Sequence, residues 1–143
     1  VEFKIREIVL EDLPGLVPLV EQLGYRCTAS DLVERYKSIQ GNSILAAFTE
    51  TGTPCGYVQV GIFSSLHFPV SIEVIALVVE EKVRGNGLGK RLMLAAEDWA
   101  RKQGVNQVWL RSGIKRESAH AFYTSIGYSL TATSHKFEKE IGS

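Results

Sequence analysis

The chain has 143 residues with 45% apolar content, which suits one domain with a real core. Sixteen basic residues balance sixteen acidic ones, so no global field favours nucleic acid and no acidic tail is present. Two cysteines, Cys27 and Cys55, make no disulfide framework, and with three histidines they show no metal-ligand spacing, so no metal is expected.

The cysteines read as reduced thiols of a cytoplasmic protein. No apolar run reaches the roughly 18 residues that a membrane span needs. The opening "VEFKIREI" alternates and carries charge, so it reads as a strand over 2–9 and not as a signal peptide. "LEDLPGLVPLVEQLG" follows with Leu13, Leu16, Val17, Val20 and Leu23 at helical spacing. Pro14 fits its first turn, and Pro18 predicts a kink or break. "TASDLVERYKSIQG" predicts a second helix, with Thr28 or Ser30 as N-cap and Gly41 as stop.

Two strands joined by a tight turn are expected in "SILAAFTE" and "CGYVQVGIF". "VSIEVIALVV" is β-branched and almost continuous, so it predicts a central strand buried on both faces. Leu88, Leu92, Ala95, Ala96 and Trp99 predict a helix ending at Gly104. "NQVWLRSG" reads as a strand and "ESAHAFYTSIG" as a short helix. "YSLTATSHKFEKEI" reads as two closing strands. The expected order is β-α-α-β-β-β-α-β-α-β-β. This is an α+β fold in a single domain spanning 1–143, with one β-α-β unit over 72–111 whose strands run parallel.

The stretch "VVEEKVRGNGLGKRL" carries glycines at 85, 87 and 89. Glycine admits positive φ and leaves no Cβ in the way, so successive N–H groups can converge on an anion at the next helix N-terminus. Arg84, Lys90 and Arg91 add local positive charge. A Walker loop is excluded, because Gly85 and Gly89 are one position too close and Lys90 is followed by Arg91. A dinucleotide fingerprint is excluded by the G-x-G-x-G spacing and by the single β-α-β unit.

Arg84-x-x-Gly87-x-Gly89 resembles the Q/R-x-x-G-x-G/A motif of the GNAT superfamily of acyl-CoA-dependent N-acetyltransferases. "RESAHAFYTSIGY", residues 116–128, resembles that family's following segment. The resemblance implies a GNAT-like mixed, mostly antiparallel central sheet of six to seven strands with helices on both faces. It implies acetyl-CoA as co-substrate, with the pyrophosphate on Arg84, Gly85, Asn86, Gly87, Leu88, Gly89 and Lys90. A bulged strand before the loop would splay and offer backbone groups at Leu77, Val78 and Val79 to the pantetheine amides. The family often has Asn where this chain has Arg116, which could grip a CoA phosphate or be plain surface.

Acetyl transfer to an amine needs a base, because an alkylammonium has a pKa of about 10. It also needs donors for an oxyanion and an acid for the departing thiolate. Glu73 lies in the expected central strand, and the resemblance implies the base role, direct or through water. Otherwise it faces solvent or pairs with a neighbour. Tyr123 stands where the family places its thiol-protonating acid and cofactor contact, and it also belongs to the packing stripe of Ala119, Phe122 and Ile126. His67, His120 and His135 read as surface or second-layer groups. Both cysteines lie outside the motifs, so direct transfer in a ternary complex is expected rather than an acyl-cysteine.

The resemblance places the acceptor site on residues 11–41 and about 63–70. Its acceptor would be a small-molecule amine or a protein amine. Asp31 and Glu34 are offset by Arg26, Arg35 and Lys37, so an aminoglycoside is not indicated. No nucleic acid or membrane partner is expected, and a homodimer is open. The rival reading is a non-catalytic CoA or acyl-CoA sensor of the same fold.

Overall fold

The computed structural model describes residues 2–142. The chain falls into two compact units, one running to Arg111 and the other starting at Ser112.

In the first unit β1 (Lys4–Glu7) leads through a 3-10 turn, Leu10–Asp12, into α1 (Leu13–Gln22). Pro18 sits inside α1 without breaking it. Leu16 and Leu19 are buried on either side of it, and that packing outweighs the one backbone bond that proline removes. α2 (Ala29–Ser38) starts at Thr28, whose hydroxyl accepts from the Asp31 N–H while Asp31 accepts from the Thr28 N–H. This reciprocal box selects Thr28 over Ser30 as the cap.

β2 (Asn42–Phe48), β3 (Pro54–Phe63) and β4 (Ser71–Val79) form an antiparallel meander with β1. α3 (Leu88–Lys102) then crosses to β5 (Val108–Leu110), which pairs parallel to β4, as the β-α-β pattern predicts. The sheet order is β1-β2-β3-β4-β5. Helices cover both faces. Leu13, Leu16, Leu19 and Leu32 pack with Ile44, Ala46, Phe48, Tyr57 and Val78 on one side. On the other side Gly56 lets Leu88 and Leu92 of α3 come close, since a Cβ there would lie 3.2 Å from Leu92. Met93 and Ala100 complete the buried stripe of α3, while Trp99 is only partly covered.

Two expectations need correction. β4 is one strand in from the edge, and Ile75 is exposed, so it is not buried along both faces. Among the described residues the sheet has five strands rather than six to seven. In the second unit α4 (Glu117–Ser125) forms as expected, but residues 128–142 form no strand. Leu130, Phe137 and Ile141 are exposed there. Alternation says which side chains would share a face; a strand also needs an edge to receive its hydrogen bonds.

Candidate active site

The loop after β4 begins with a 3-10 turn, Glu81–Val83. Gly85 and Gly87 follow with φ of 86° and 73°, the left-handed region. Gly87 is the N-cap of α3, and no side chain caps that helix. The first backbone bond into it runs from the Arg91 N–H to the Gly87 carbonyl at 3.1 Å. Among the described residues, the N–H groups from Gly85 through Lys90 find no acceptor. The α3 dipole adds partial positive charge at the same end. Open N–H groups, no capping carboxylate and two left-handed glycines suit a phosphate group.

The loop departs from expectation in two ways. Gly89 does not adopt positive φ; it lies in the first turn of α3. Leu88 offers only its N–H, because its side chain is buried in the core. Arg84 and Lys90 are exposed beside the loop, and the Arg84 Nε–H donates to the Val79 carbonyl at 3.3 Å. The Asn86 amide donates to the Val83 carbonyl at 2.8 Å and so holds the turn.

β4 carries a β-bulge. Gln59 pairs with Ala76 and Val60 with Val74, leaving Ile75 as the extra residue. Hydrogen bonds at the two ends of the strand fix its consequence. The Ile72 N–H donates to Gln107 on the β5 side, and the Glu80 N–H donates to Cys55 on the β3 side. Alternating inward from both ends, Ile75 and Ala76 both direct their backbones to β3, and Leu77 and Val79 direct theirs away from it. Pairing with β5 ends at Val74–Leu110, so β5 gives the backbones of Leu77 and Val79 no partner.

The three expected contact residues therefore differ. Leu77 presents both N–H and carbonyl at this free edge. Val79 presents its N–H, because its carbonyl accepts from Gln22 and Arg84 side chains. Val78 is corrected: it pairs with Tyr57 on β3 and its side chain is buried, so it has nothing to offer a ligand.

Glu73 lies opposite Gly61, a pair whose face also holds Ile75, since a Cβ on Gly61 would come within 3.1 Å of the Ile75 side chain. Its side chain is 28% exposed, and the carboxylate reaches Arg111 at 4.0 Å. Arg111 in turn lies over the Trp109 ring, and the Trp109 N–H donates to buried Ser71. Phe63 and Phe68 stack at 5.5 Å, with Trp109 edge-on to Phe63.

In the second unit Tyr123 projects from α4, packed against Phe122 and Tyr128. Burial pushes its phenol up from the ordinary value, and the Arg116 charge opposes that shift. Arg116 is the exposed N-cap of α4, with no side-chain capping bond. The His120 Nε2–H donates to the Gly113 carbonyl, 2.8 Å away.

Sequence reasoning missed Gln22. From the last turn of α1 its amide donates to the Val79 carbonyl at 2.7 Å, and its oxygen accepts from the Glu81 N–H at 3.2 Å. One side chain thus holds the exit of β4 where the loop begins. No local pattern could reveal it, because its partners lie more than fifty residues away. Among the described residues, no group of three or more His, Cys, Asp or Glu could hold a metal, and no helix is long and apolar enough to cross a membrane.

Comparison with known proteins gives the class. Residues 6–128 match the Acetyltransferase (GNAT) family, and the chain belongs to that family. It is 40% identical over 78 residues to an uncharacterised N-acetyltransferase of Bacillus subtilis, a match covering 54% of each chain. It is 41% identical over 56 residues to an aminoalkylphosphonate N-acetyltransferase of Salmonella typhimurium, covering 39% of this chain and 36% of that one. The match thus spans about half the length of the first relative and less of the second. An aminoglycoside N-acetyltransferase solved with CoA has the same fold, with a TM-score of 0.85 at 14% identity, covering 96% of this chain and 95% of that one.

Proposed function

We propose that this protein moves an acetyl group from acetyl-CoA to a primary amine by direct transfer in a ternary complex. The observation that carries the reading is the second half of β4. A bulge turns Leu77 outward, β5 has stopped pairing, and the strand runs into a loop of unpartnered N–H groups. An extended ligand with amides at one end and phosphates at the other matches that order of donors and acceptors. The fold neighbour solved with CoA supports the same choice.

The co-substrate supplies a thioester, an acetyl group on a good leaving group. The chain's own groups do the rest. The loop amides, with Arg84, Lys90 and Arg116, hold phosphate charge. Leu77 and the Val79 N–H pair with the amide-bearing arm. Glu73 takes a proton from the ammonium, directly or through water, so that the nitrogen lone pair can form the new C–N bond. Tyr123 gives its proton to the sulfur as the C–S bond breaks, and the second proton, lost by the nitrogen as the amide forms, restores the phenol. A phenol of ordinary pKa about 10, pushed up further by burial, carries that proton at neutral pH. Burial also pushes the Cys27 and Cys55 thiols up, which disfavours a thiolate nucleophile and a covalent acetyl-enzyme.

The relatives' names support a nitrogen acceptor but pull apart on its charge, since aminoalkylphosphonates carry an anion and aminoglycosides several cations. We read the two units as one acetyltransferase domain, because the family match runs through both.

Calorimetric titration with acetyl-CoA, with ATP and NADP as controls, tests the reading. Micromolar binding of acetyl-CoA with silent controls is expected. A folded sample that ignores acetyl-CoA removes it.

A further inference from the structure

A groove of about 530 Å³ opens beside the bulge, lined in part by Tyr25, Arg26 and Arg35 together with Tyr57, Ile75 and Ala76. That volume suits a small molecule. Ile75 and Ala76 are the two bulge residues, so the groove adjoins the freed strand and shares the sheet face of Glu73.

The charge in the groove is one-sided. Arg26 and Arg35 line it and no carboxylate does. Among the described residues neither arginine has an ion pair or hydrogen bond, in a chain whose net charge is zero. Asp31 lies near enough to feel the Arg35 charge, but it forms no ion pair with it. Glu21 and Asp31 share the surroundings of Cys27 with Arg35 but do not line the groove, and Asp31 is engaged with the backbone of Thr28. Tyr57 adds a hydroxyl that stays a donor, its pKa pushed up to about 12 mainly by burial. Two guanidinium forks and a phenol on an apolar floor match a compact oxyanion, and they repel a second cation.

We infer that the acceptor is a small primary amine that also carries a phosphonate, phosphate or carboxylate group, held by Arg26 and Arg35. The anion anchors the molecule between α1 and α2, and its amine points along the sheet face toward Glu73 and the bulge. This rests on the acetyltransferase reading above and narrows it.

The test is thiol release with acetyl-CoA and a matched panel: 2-aminoethylphosphonate, phosphoethanolamine and β-alanine against ethanolamine, ethylenediamine and kanamycin. At least one anionic amine should exceed every neutral or cationic amine at least tenfold in kcat/KM, and the ranking of the three identifies the anion. Arg26→Ala and Arg35→Ala should each raise KM for that amine about 10- to 100-fold with kcat nearly kept, and Lys at either position should restore part of it. Acetyl-CoA affinity, titrated separately, should not move in these variants. Equal or better turnover of ethanolamine or kanamycin overturns the inference and leaves the enzyme reading standing. So does an acetyl-CoA affinity that falls with either arginine, since they would then serve the co-substrate. If acetyl-CoA binds but no anionic amine is turned over, or bound at 10 mM in its presence, the inference also falls. Failure to bind acetyl-CoA at all removes the enzyme reading itself.

Discussion

The two halves of β4 look alike in sequence and behave differently. Ile72 to Val74 is paired on both sides, with β3 and with β5. Ile75 to Val79 is wholly apolar; Ile75 is the bulge, and Ala76 to Val79 pair with β3 alone. One extra residue at Ile75 shifts the alternation, so Leu77 turns its backbone away from the sheet. A strand interior that would be paired elsewhere becomes a free edge. The first half holds Glu73 and keeps the second in place, and the second leaves a free edge.

The largest effect should come from confusing the two sides. Val78→Pro removes an N–H bonded to β3 and should cost about 3 kcal/mol or more, enough to unfold much of the population. Leu77→Pro removes an N–H that the sheet does not use. It should keep more of the stability and lose acetyl-CoA affinity instead, by tenfold or more. Urea unfolding and calorimetry on both variants decide this. If Leu77→Pro unfolds as readily as Val78→Pro, the outward edge has been misassigned.

Chemistry should separate from binding. Glu73→Gln sits in the doubly paired half and Tyr123→Phe in α4, and neither should alter the loop. Each should lower kcat about 100-fold, roughly 2.7 kcal/mol, with acetyl-CoA affinity within a few-fold. Intact turnover in Tyr123→Phe makes that residue a packing group against Phe122 and Tyr128.

Gly87→Val should be smaller. Nothing lies within 4 Å of the Cβ position, so the cost is not a clash inside the protein. It comes from φ of 73°, which a β-branched residue resists by about 1–2 kcal/mol. Acetyl-CoA affinity should fall about tenfold, and Gly87→Asn, better suited to that region, should recover part of it. Equal affinity in all three forms removes the loop from the phosphate assignment.

Much of this comparison was legible beforehand, and the rest was not for physical reasons. The β-branched run marked β4, and the glycines marked the loop, because both signals are local. The bulge left no trace: "IEVIALVV" has neither Gly nor Pro at Ile75, and an inserted residue is defined only against β3. The same limit explains why Val78 looked equal to Leu77, and why 128–142 read as strands on alternation alone. Arg26 and Arg35 were visible as charges, but only the turn between α1 and α2 and the close of the groove bring them together.

Gln22 gives the smallest effect and the finest probe of the β4 exit. Its amide occupies the Val79 carbonyl, and its oxygen occupies the Glu81 N–H, so a single side chain serves as donor and acceptor. Gln22→Ala should cost about 1 kcal/mol, the net worth of exposed bonds of this kind. Gln22→Glu keeps the acceptor for Glu81 and loses the donor to Val79. If the staple works mainly by fixing the Val79 carbonyl, Gln22→Glu should resemble Ala in chemical denaturation and in a few-fold loss of acetyl-CoA affinity. If it works by fixing the start of the loop, Gln22→Glu should resemble the parent. A parent-like result from both variants would mean that the bulge and the β3 ladder hold the edge unaided.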